Sequence, residues 1–196
     1  KTLTFNVLPR SGRINSFMID EQGKGLRALG GDLINPISAP SKILMIPAVP
    51  NQKKKQGQNP ASKHVLRILT PGEVDASVSV ELISADGVFI PVGLNSRSIS
   101  AGQVTEFSFS PKISSKVFAM KITSTEPVVA AIESSVVSGR KKDFTWSTPA
   151  PELSPFTMAV TGLAPLIGFA GDEINVAIDV TLANGKVLRK TIKGTD

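Results

Sequence analysis

The sequence has no cysteine and no tyrosine, and it contains a single histidine and a single tryptophan. Without cysteine the chain forms no disulfide and offers neither a thiolate ligand nor a cysteine nucleophile. Zinc sites are built mainly from cysteine and histidine, and the D-x-D-x-D-G pattern of a calcium-binding loop is missing too. The sequence therefore predicts no metal and no cofactor.

Long apolar runs are also missing. No stretch of about 18 consecutive apolar residues is present, so the sequence predicts no membrane-spanning helix. The chain does not open with the basic and then apolar segments of a signal peptide. Because the first residue is Lys1 rather than methionine, we interpret the chain as a processed or excerpted product. The lack of cysteine fits exported proteins of bacteria that avoid this residue.

Alternating apolar and polar residues dominate the middle of the chain. From Val74 to Ser84 every second residue is apolar, which is the period of a strand with one buried face. The turn residues Ala85-Asp86-Gly87 predict a hairpin next, and the uniformly apolar Pro127–Val137 predicts a strand covered on both faces. About seven or eight such strands within His64–Leu153, with turn signals roughly every 8 to 12 residues, predict an all-β fold of the Ig-like β-sandwich type.

The domain organisation follows from one polar, lysine-rich segment, Asn51–Ser62. We interpret residues 51–63 as a basic loop or linker and as the main boundary of the chain. Residues 1–50 are then the terminal strands of a first β unit, and residues 64–153 are one complete β-sandwich. Residues 154–196 are the opening strands of a further unit, docked on the rest.

Two internal correspondences indicate a tandem repeat. Gly31–Pro40 matches Lys142–Pro151 at an offset of 111 residues, and Glu73–Leu82 matches Glu173–Leu182 at an offset of 100. Asn184-Gly185 after the second pair predicts a type I′ hairpin. A repeat of about 100 residues has the size of an Ig-like unit, although two propeller blades per repeat fit as well. The flanking units are incomplete on this interpretation.

Several strand-and-turn motifs follow one another in a fixed order: LISADG at 82–87, SISAGQV at 98–104, TSTEPVVAA at 123–131, KDFTW at 142–146 and PAP at 149–151. In this order they resemble an uncharacterised domain family of exported, often membrane-anchored actinobacterial proteins with tandem Ig-like β units. The resemblance implies an extracytoplasmic location and a role at the cell envelope, for example around wall glycan assembly. It assigns no functional residues.

Candidate catalytic residues are few. His64 is the only histidine on which a Ser-His-Asp triad could be built, but no G-x-S-x-G elbow accompanies it, and we expect a histidine at the surface or at a strand edge. The acidic pairs Asp20-Glu21 and Asp172-Glu173 are adjacent in sequence, so on a strand their side chains face opposite ways. We interpret both pairs as turn and strand-entry residues and predict that the chain is not an enzyme.

Two aspartates and the single tryptophan allow a binding interpretation. Asp32 and Asp143 occupy the same repeat position, and we expect each to accept hydrogen bonds from local backbone N–H groups. Trp146 is expected in the core, as in many sandwiches. In an alternative interpretation Asp143 and Trp146 line a shallow groove that binds carbohydrate.

The chain has a net charge of +6, and two clusters of basic residues stand out in its sequence. They predict contact with anionic wall polymer or lipid headgroups, or they are ordinary solvated loops. Nucleic-acid binding is not favoured because no aromatic residues are interleaved with them. The clusters are Lys53, Lys54 and Lys55, and Arg140, Lys141 and Lys142.

Together these observations predict a non-enzymatic structural or interaction module of a bacterial envelope protein. Its partners would be an envelope protein or an anionic polymer, and exposed strand edges would also allow self-association. The alternatives are a carbohydrate-binding module and an accessory domain of an envelope glycan enzyme.

Overall fold

The computed structural model describes residues 10–11, 18–22, 30–35, 37, 39–52, 62–138, 141–152, 154–159, 169, 171 and 173–195. These residues form twelve β-strands and no helix, which confirms the all-β prediction. None of them belongs to a helix that is long and apolar enough to cross a bilayer. The chain divides into two compact units, Lys1–Ser154 and Pro155–Asp196.

Ten strands lie in the first unit, and all of their pairings are antiparallel. In chain order they are β1 (Met18–Gln22), β2 (Gly30–Ile34), β3 (Ser41–Pro50), β4 (His64–Leu69), β5 (Ala76–Ser84), β6 (Gly87–Phe89), β7 (Arg97–Ile99), β8 (Val104–Phe109), β9 (Val117–Ser138) and β10 (Lys141–Ser147). β1 and β2 pair with each other. The other eight form one sheet in the order β6-β5-β9-β4-β8, with β3 and β10 also paired to β9 and β7 to β5.

The long strand β9 organises this sheet. This strand has 22 residues, and two other strands pair with it in its first half and two in its second half. At Ile122 the register partners are Leu44 of β3 and Val80 of β5. At Ile132 the two edges are taken by β4 and β10. Because one strand serves four partners in succession, the sheet curls around β9 instead of extending as a flat layer.

β3 belongs to this sheet, although the sequence placed it in a separate first unit that ends before residues 51–63. It pairs with β9 along its length, and its side chains Ile46 and Val49 are fully buried in the common core. The division between compact units therefore falls after Ser154. The composition of residues 51–63 is typical of a linker and therefore indicated a boundary. The pairing of β3 with β9 joins strands on both sides of this segment, and such a long-range pairing leaves no local signal in the sequence.

The core is built from the alternating faces of β3, β4, β5 and β9. In β5 the buried residues occupy every second position, which confirms the predicted period of two. Each large aliphatic side chain buried in this way contributes about 1.5–3 kcal/mol relative to full exposure. The largest fully buried apolar side chains are Phe118, Ile46, Leu66, Ile68, Leu82, Ile99, Met120, Ile122, Ile132, Val49 and Val78.

The apolar sequence of Pro127–Val137 predicted a strand covered on both faces, but the second half of β9 is covered unequally. Val128, Ala130 and Ile132 are buried, whereas Val129 and Glu133 on the opposite face are only half-buried. The difference arises because that second face carries charged side chains from neighbouring strands and stays partly hydrated.

The described residues of the second unit include a hairpin of β11 (Glu173–Thr181) and β12 (Val187–Thr195). Leu182 N donates to Lys186 O (2.9 Å), and Gly185 N donates to Leu182 O (2.9 Å). A type I′ turn needs a positive φ at both central residues, but of Asn184 and Gly185 only the glycine has one, at 80°. The type I′ prediction is wrong, and a three-residue turn takes its place. Docking of residues 154–196 on the rest of the chain stays a prediction.

Candidate functional site

Charged side chains and the single tryptophan meet on the face of the first-unit sheet that lies opposite the core. Trp146 of β10 is directly opposite Glu133 of β9 in the register. Arg67 of β4 is opposite Ala131, two residues from Glu133 on the same face of β9. Residues opposite each other in an antiparallel pair share a face and lie within side-chain reach, so this register brings Arg67, Glu133 and Trp146 together.

Arg67 is the centre of the cluster. Its Nε donates to Glu106 Oε1 of β8 (2.8 Å), and its Nη1 donates to Glu133 Oε2 of β9 (2.9 Å). The guanidinium carbon also lies 4.8 Å from the centroid of the Trp146 ring, within the range of a cation–π contact. One side chain thus links four strands, and each of these contacts contributes about 1 kcal/mol or less at such a partly hydrated position.

Trp146 is held on its other side by two aspartates of the β1–β2 hairpin. Its indole Nε1 donates to Asp20 Oδ2 (3.0 Å), and its backbone N donates to Asp32 Oδ2. The same Asp32 oxygen accepts a hydrogen bond from Thr145 Oγ1 (2.8 Å). Asp20 and Asp32 are register partners, so both carboxylates project from one place on the hairpin. We name Asp20, Asp32, Thr145 and Trp146 the aspartate–tryptophan junction.

The junction corrects two predictions about acidic residues. Asp32 was expected to bond local backbone, but it accepts from Trp146, which is 114 residues away in the sequence. Asp20 was expected in a turn, but it lies within β1 and accepts from the indole. Asp143 behaves as predicted, since its Oδ1 accepts from the neighbouring Phe144 N (2.9 Å). Glu173 is the exposed first residue of β11, and Asp172 lies outside the described residues.

The junction also bears on the predicted sugar-binding groove. Asp143 and Trp146 are three residues apart in a strand of regular register, and successive strand residues point to opposite faces. The two side chains therefore do not line one groove. Trp146 is half-buried and lies outside the hydrophobic core cluster, so the expectation of a core tryptophan is wrong as well. The Arg67 guanidinium already lies over the indole ring, and the indole N–H already donates a hydrogen bond to Asp20.

His64 is buried, contrary to the prediction of a surface or strand-edge position. It has no exposed surface, because β4 lies between β8 and β9 and turns His64 toward the core. Its Nδ1 is 2.9 Å from Ser134 Oγ, and its ring lies 5.4 Å from that of Phe109 and 5.2 Å from that of Phe118. Burial lowers the pKa of His64 to about 4, so the ring is neutral near pH 7.

This environment does not form a catalytic triad. A triad needs a carboxylate that orients the ring nitrogen opposite the nucleophile. Nε2 of His64 has no hydrogen-bond partner in the described part of the chain, and the Ser134 hydroxyl is buried beside it. Neither group is open to a substrate.

The basic clusters are only partly described. Lys53, Lys54, Lys55 and Arg140 lie outside the described residues. Lys141 and Lys142 lie on β10, where they are the register partners of Ser138 and Val137, so this part of the second cluster is a strand and not a loop. Their side chains also lie outside the described part of the structure.

No metal-binding or deep acidic site occurs in the described ranges. No group of three or more histidine, aspartate or glutamate side chains comes together there in a way that could hold a metal ion. A shallow depression at the open end of the β11–β12 hairpin is lined by Glu173, Ile174, Asn175, Lys193 and Gly194. It holds one carboxylate, so it lacks the paired acids that glycoside hydrolysis requires.

Sequence reasoning missed Arg67, Glu106 and Glu133. Arg67 and Glu106 are the isolated charges of the short strands β4 and β8, and Glu133 is one of three charged residues spread along the long strand β9. Isolated charges of this kind are a weak signal for charge pairing across a sheet face. The partners depend on strand register, which a single sequence does not give.

The fold is all-β, and Asp20, Asp32 and Arg67 connect its strands through side-chain hydrogen bonds. The chain belongs to a family of unknown function, DUF5719, whose model matches residues 1–189. This membership confirms the predicted resemblance to an uncharacterised family. No curated protein matches the chain.

Two solved structures are similar at low identity. The Anabaena sensory rhodopsin transducer is 21% identical, with 48% of this chain and 87% of that chain covered and a TM-score of 0.38. The structure of Thermotoga maritima 1070 is 18% identical, with 58% and 96% covered and a TM-score of 0.37. Likenesses this weak say nothing about what the chain binds.

Proposed function

We propose that the chain is a non-enzymatic structural and interaction module, with Ig-like units in tandem, of an exported bacterial envelope protein. One observation carries this proposal: the described side chains that a catalytic site could use either hold strands together or are buried in the core. Asp20 and Asp32 bind Trp146, Arg67 binds two glutamates, and His64 is buried as a neutral ring. A module that spaces or docks other parts needs such cross-links and no reactive cleft.

The envelope location is supported by the cysteine-free composition and by the resemblance to exported proteins. The contact with an anionic wall polymer or with lipid headgroups is supported by the two lysine-rich clusters, because a chain of net charge +6 attracts polyanions. Lys141 and Lys142 lie on β10, so part of one cluster is on a strand of the sheet.

A pull-down from isolated bacterial envelope fractions tests this proposal. The wild-type chain is compared with a variant in which all six clustered residues are changed to glutamine. A matched control changes six exposed lysines elsewhere, so both variants lose the same charge. The clustered residues are Lys53, Lys54, Lys55, Arg140, Lys141 and Lys142, and the control residues are Lys63, Lys112, Lys116, Lys186, Lys190 and Lys193.

Retention that is lost in the cluster variant, kept in the control and weakened by salt would support binding of an anionic polymer or lipid surface. Equal loss in both variants would reduce the effect to net charge and contradict a specific cluster. Retention unchanged in both would instead favour a protein partner in the envelope. No retention of any form would contradict the interaction role.

Carbohydrate binding through Asp143 and Trp146 has less support, because the two side chains lie on opposite faces of β10. The role of an accessory domain for an envelope glycan enzyme stays a prediction, and no described contact favours it over docking.

A further inference from the structure

An apolar segment follows the turn between β5 and β6 and lies on the surface of the first unit. Val88 is 54% exposed, Phe89 39%, Ile90 52% and Val92 103%. We name Val88–Val92 (VFIPV) the apolar tip. Single exposed apolar side chains are ordinary on a protein surface, whereas a contiguous group of them marks a contact site for a protein or a membrane.

The backbone around the apolar tip holds it in an exposed position. Leu94 N donates to Pro91 O (3.1 Å) and closes a four-residue turn. Gly93 has a φ of 81°, as the third residue of a type II turn requires, and Val92 takes the corner before it. Leu94 is buried, and its carbonyl accepts a hydrogen bond from Val80 N of β5 (2.9 Å). Because this anchor fixes the turn, Val92 points away from the core.

The shape of the apolar tip distinguishes a bilayer from a protein partner. Val92 is as accessible as in an extended peptide, so the tip protrudes. A protein covers a protruding side chain only with a matching pocket, whereas the apolar phase of a bilayer adapts to the shape that enters it. The backbone also suits shallow insertion, because Pro91 has no N–H and the N–H of Leu94 is bonded inside the turn.

The charges near the apolar tip favour an anionic surface. No acidic residue occurs between Asp86 and Glu106 in the sequence, and the chain has a net charge of +6. The Asp86 carboxylate accepts hydrogen bonds from Ser115 N (2.7 Å) and Ser115 Oγ (3.2 Å). Arg97, in the same acid-free segment, is exposed. An anionic membrane attracts a surface of this kind.

We propose that the apolar tip inserts into the interfacial region of an anionic lipid bilayer. Apolar side chains buried at the boundary between headgroups and acyl chains add to the electrostatic attraction of basic residues. A wall polymer is hydrated along its length and offers no apolar phase, so the tip selects the lipid surface over the polymer. The inference rests on the proposed function, since it names the bilayer as the anionic partner of the interaction module.

Sedimentation of the full chain with lipid vesicles tests the proposal. Vesicles of phosphatidylcholine with about 30% phosphatidylglycerol provide the anionic surface, and phosphatidylcholine alone provides the neutral one. The wild type is expected to prefer the anionic vesicles. The double variant Ile90→Ser/Val92→Ser is expected to bind them at least about tenfold more weakly, because it loses the apolar area that insertion removes from water.

The matched control makes the same two substitutions outside the apolar tip. Ile43 is 60% exposed and Val74 is 64% exposed, so Ile43→Ser/Val74→Ser removes equivalent side chains from another part of the surface. This variant is expected to bind the vesicles like the wild type. Trp146 emission without vesicles, unchanged from that of the wild type, shows that the first unit of each double variant is folded.

A fluorescent label distinguishes insertion from adsorption through lysines. The chain has no cysteine, so Val92→Cys carries one environment-sensitive fluorophore. Its emission is expected to shift to the blue when the protein binds anionic vesicles, because the label enters a less polar region. Val74→Cys carries the same label outside the apolar tip and is expected to keep its emission. Adsorption through lysines alone would leave both labels in water.

Three results would overturn the proposal. They are no binding of the wild type to either kind of vesicle, equal binding of the two double variants, and unchanged emission of the label at position 92 on bound protein. A blue shift at position 92 that grows with protein concentration in the absence of vesicles, without vesicle binding, would assign the tip to a protein contact instead.

The proposed function and this inference fail separately. Envelope retention that depends on the lysine clusters, together with no vesicle binding, would overturn insertion alone and leave a wall polymer as the partner. Vesicle binding that depends on the apolar tip, for a chain that envelope fractions do not retain, would support insertion and contradict the envelope role.

Discussion

Asp20 and Asp32 face each other across the β1–β2 hairpin, and both carboxylates accept hydrogen bonds from the same residue. Asp20 takes the indole N–H of Trp146 and Asp32 takes its backbone N–H. A hairpin of five-residue strands has little surface of its own to bury, so these charged acceptors are the contacts that fix it to β10. Hydrogen bonds to charged groups are worth about 1.5–3 kcal/mol each when partly buried.

Replacing Asp32 tests the junction directly. Asp32→Ala leaves the Trp146 backbone N–H and the Thr145 hydroxyl without their acceptor, and we expect a loss of about 1–3 kcal/mol in the free energy of unfolding. Urea denaturation followed by Trp146 fluorescence measures it. Asp143→Ala is the control, because this exposed aspartate bonds only its neighbour in the described contacts, and its effect should stay below about 0.5 kcal/mol. Equal effects of the two variants would contradict the long-range role of Asp32.

Replacing Asp20 should change the environment of the indole more than the stability of the sheet. Asp20→Ala exposes the Trp146 Nε1 to water, and we expect a red shift of the fluorescence emission together with faster quenching by iodide. Trp146 is the only tryptophan, so the signal has one source. Asp75→Ala, which removes an acceptor of the Ala101 N–H far from Trp146 in the pairing, should leave the emission unchanged. A spectrum of Asp20→Ala identical to that of the wild type would contradict the hydrogen bond.

Arg67 should not tolerate lysine. Lysine keeps the charge but cannot donate in two directions from a planar group or stack on the indole in the same way. We expect Arg67→Lys to lower the free energy of unfolding by about 1–2 kcal/mol. A double-mutant cycle of Arg67→Lys with Glu133→Gln is expected to give a coupling energy of about 0.5–2 kcal/mol. Arg97→Lys on β7 serves as the control, since its guanidinium lies farther from its nearest ring, at 6.0 Å from the Phe107 centroid. Additive effects of Arg67→Lys and Glu133→Gln would contradict the ion pair between Arg67 and Glu133.

His64 should make the stability depend on pH. The ordinary pKa of 6.5 applies to the unfolded chain, whereas burial lowers the pKa in the folded state to about 4. The unfolded state therefore binds more protons between these values, and the free energy of unfolding falls as the pH drops from about 6.5 to about 4. The full loss, reached below the folded pKa, is roughly 3 kcal/mol.

The matched comparison for this prediction is His64→Leu, which removes the titrating group. Carboxylates contribute to both pH profiles, so the difference between wild type and variant isolates His64. We expect the profile of the variant to be flatter between pH 6.5 and pH 4. Parallel profiles would show that His64 has the same pKa in the folded and unfolded states and would contradict the lowering of its pKa by burial.

The strand β9 should be most sensitive where two partners meet. Ile122 is fully buried between β3 and β5, and we expect Ile122→Ala to cost about 2–5 kcal/mol because it leaves a cavity. Thr123, the next residue, is exposed, so Thr123→Ala should change the free energy of unfolding by less than about 0.5 kcal/mol. Chemical denaturation of both variants provides the check, and similar losses would argue against the assigned register.

Local periodicity explains what could be predicted from the sequence. The alternation in β5 and the repeat of that pattern in β11 are visible in single stretches, because the strand period of two is a local property. The all-β fold follows from many such stretches together.

Pairing over long sequence distances explains what could not be predicted. β3 follows a turn and precedes a polar linker, and nothing within Ser41–Pro50 indicates that its partner is β9. His64 looked like a surface residue beside basic neighbours, but its face was decided by β8 and β9. Asp32 resembled an ordinary turn aspartate because its acceptor role depends on a hairpin lying against β10.

The shared strand β9 also has a consequence for how the chain folds during synthesis. β3, β4 and β5 precede β9, and each pairs with it. Hairpin contacts such as β5 with β6 can form early, but the edges that await β9 stay open until the ribosome has released Ser138. Folds dominated by such distant pairings have high contact order and fold slowly. The first unit is therefore expected to close late, in one cooperative step around its last long strand.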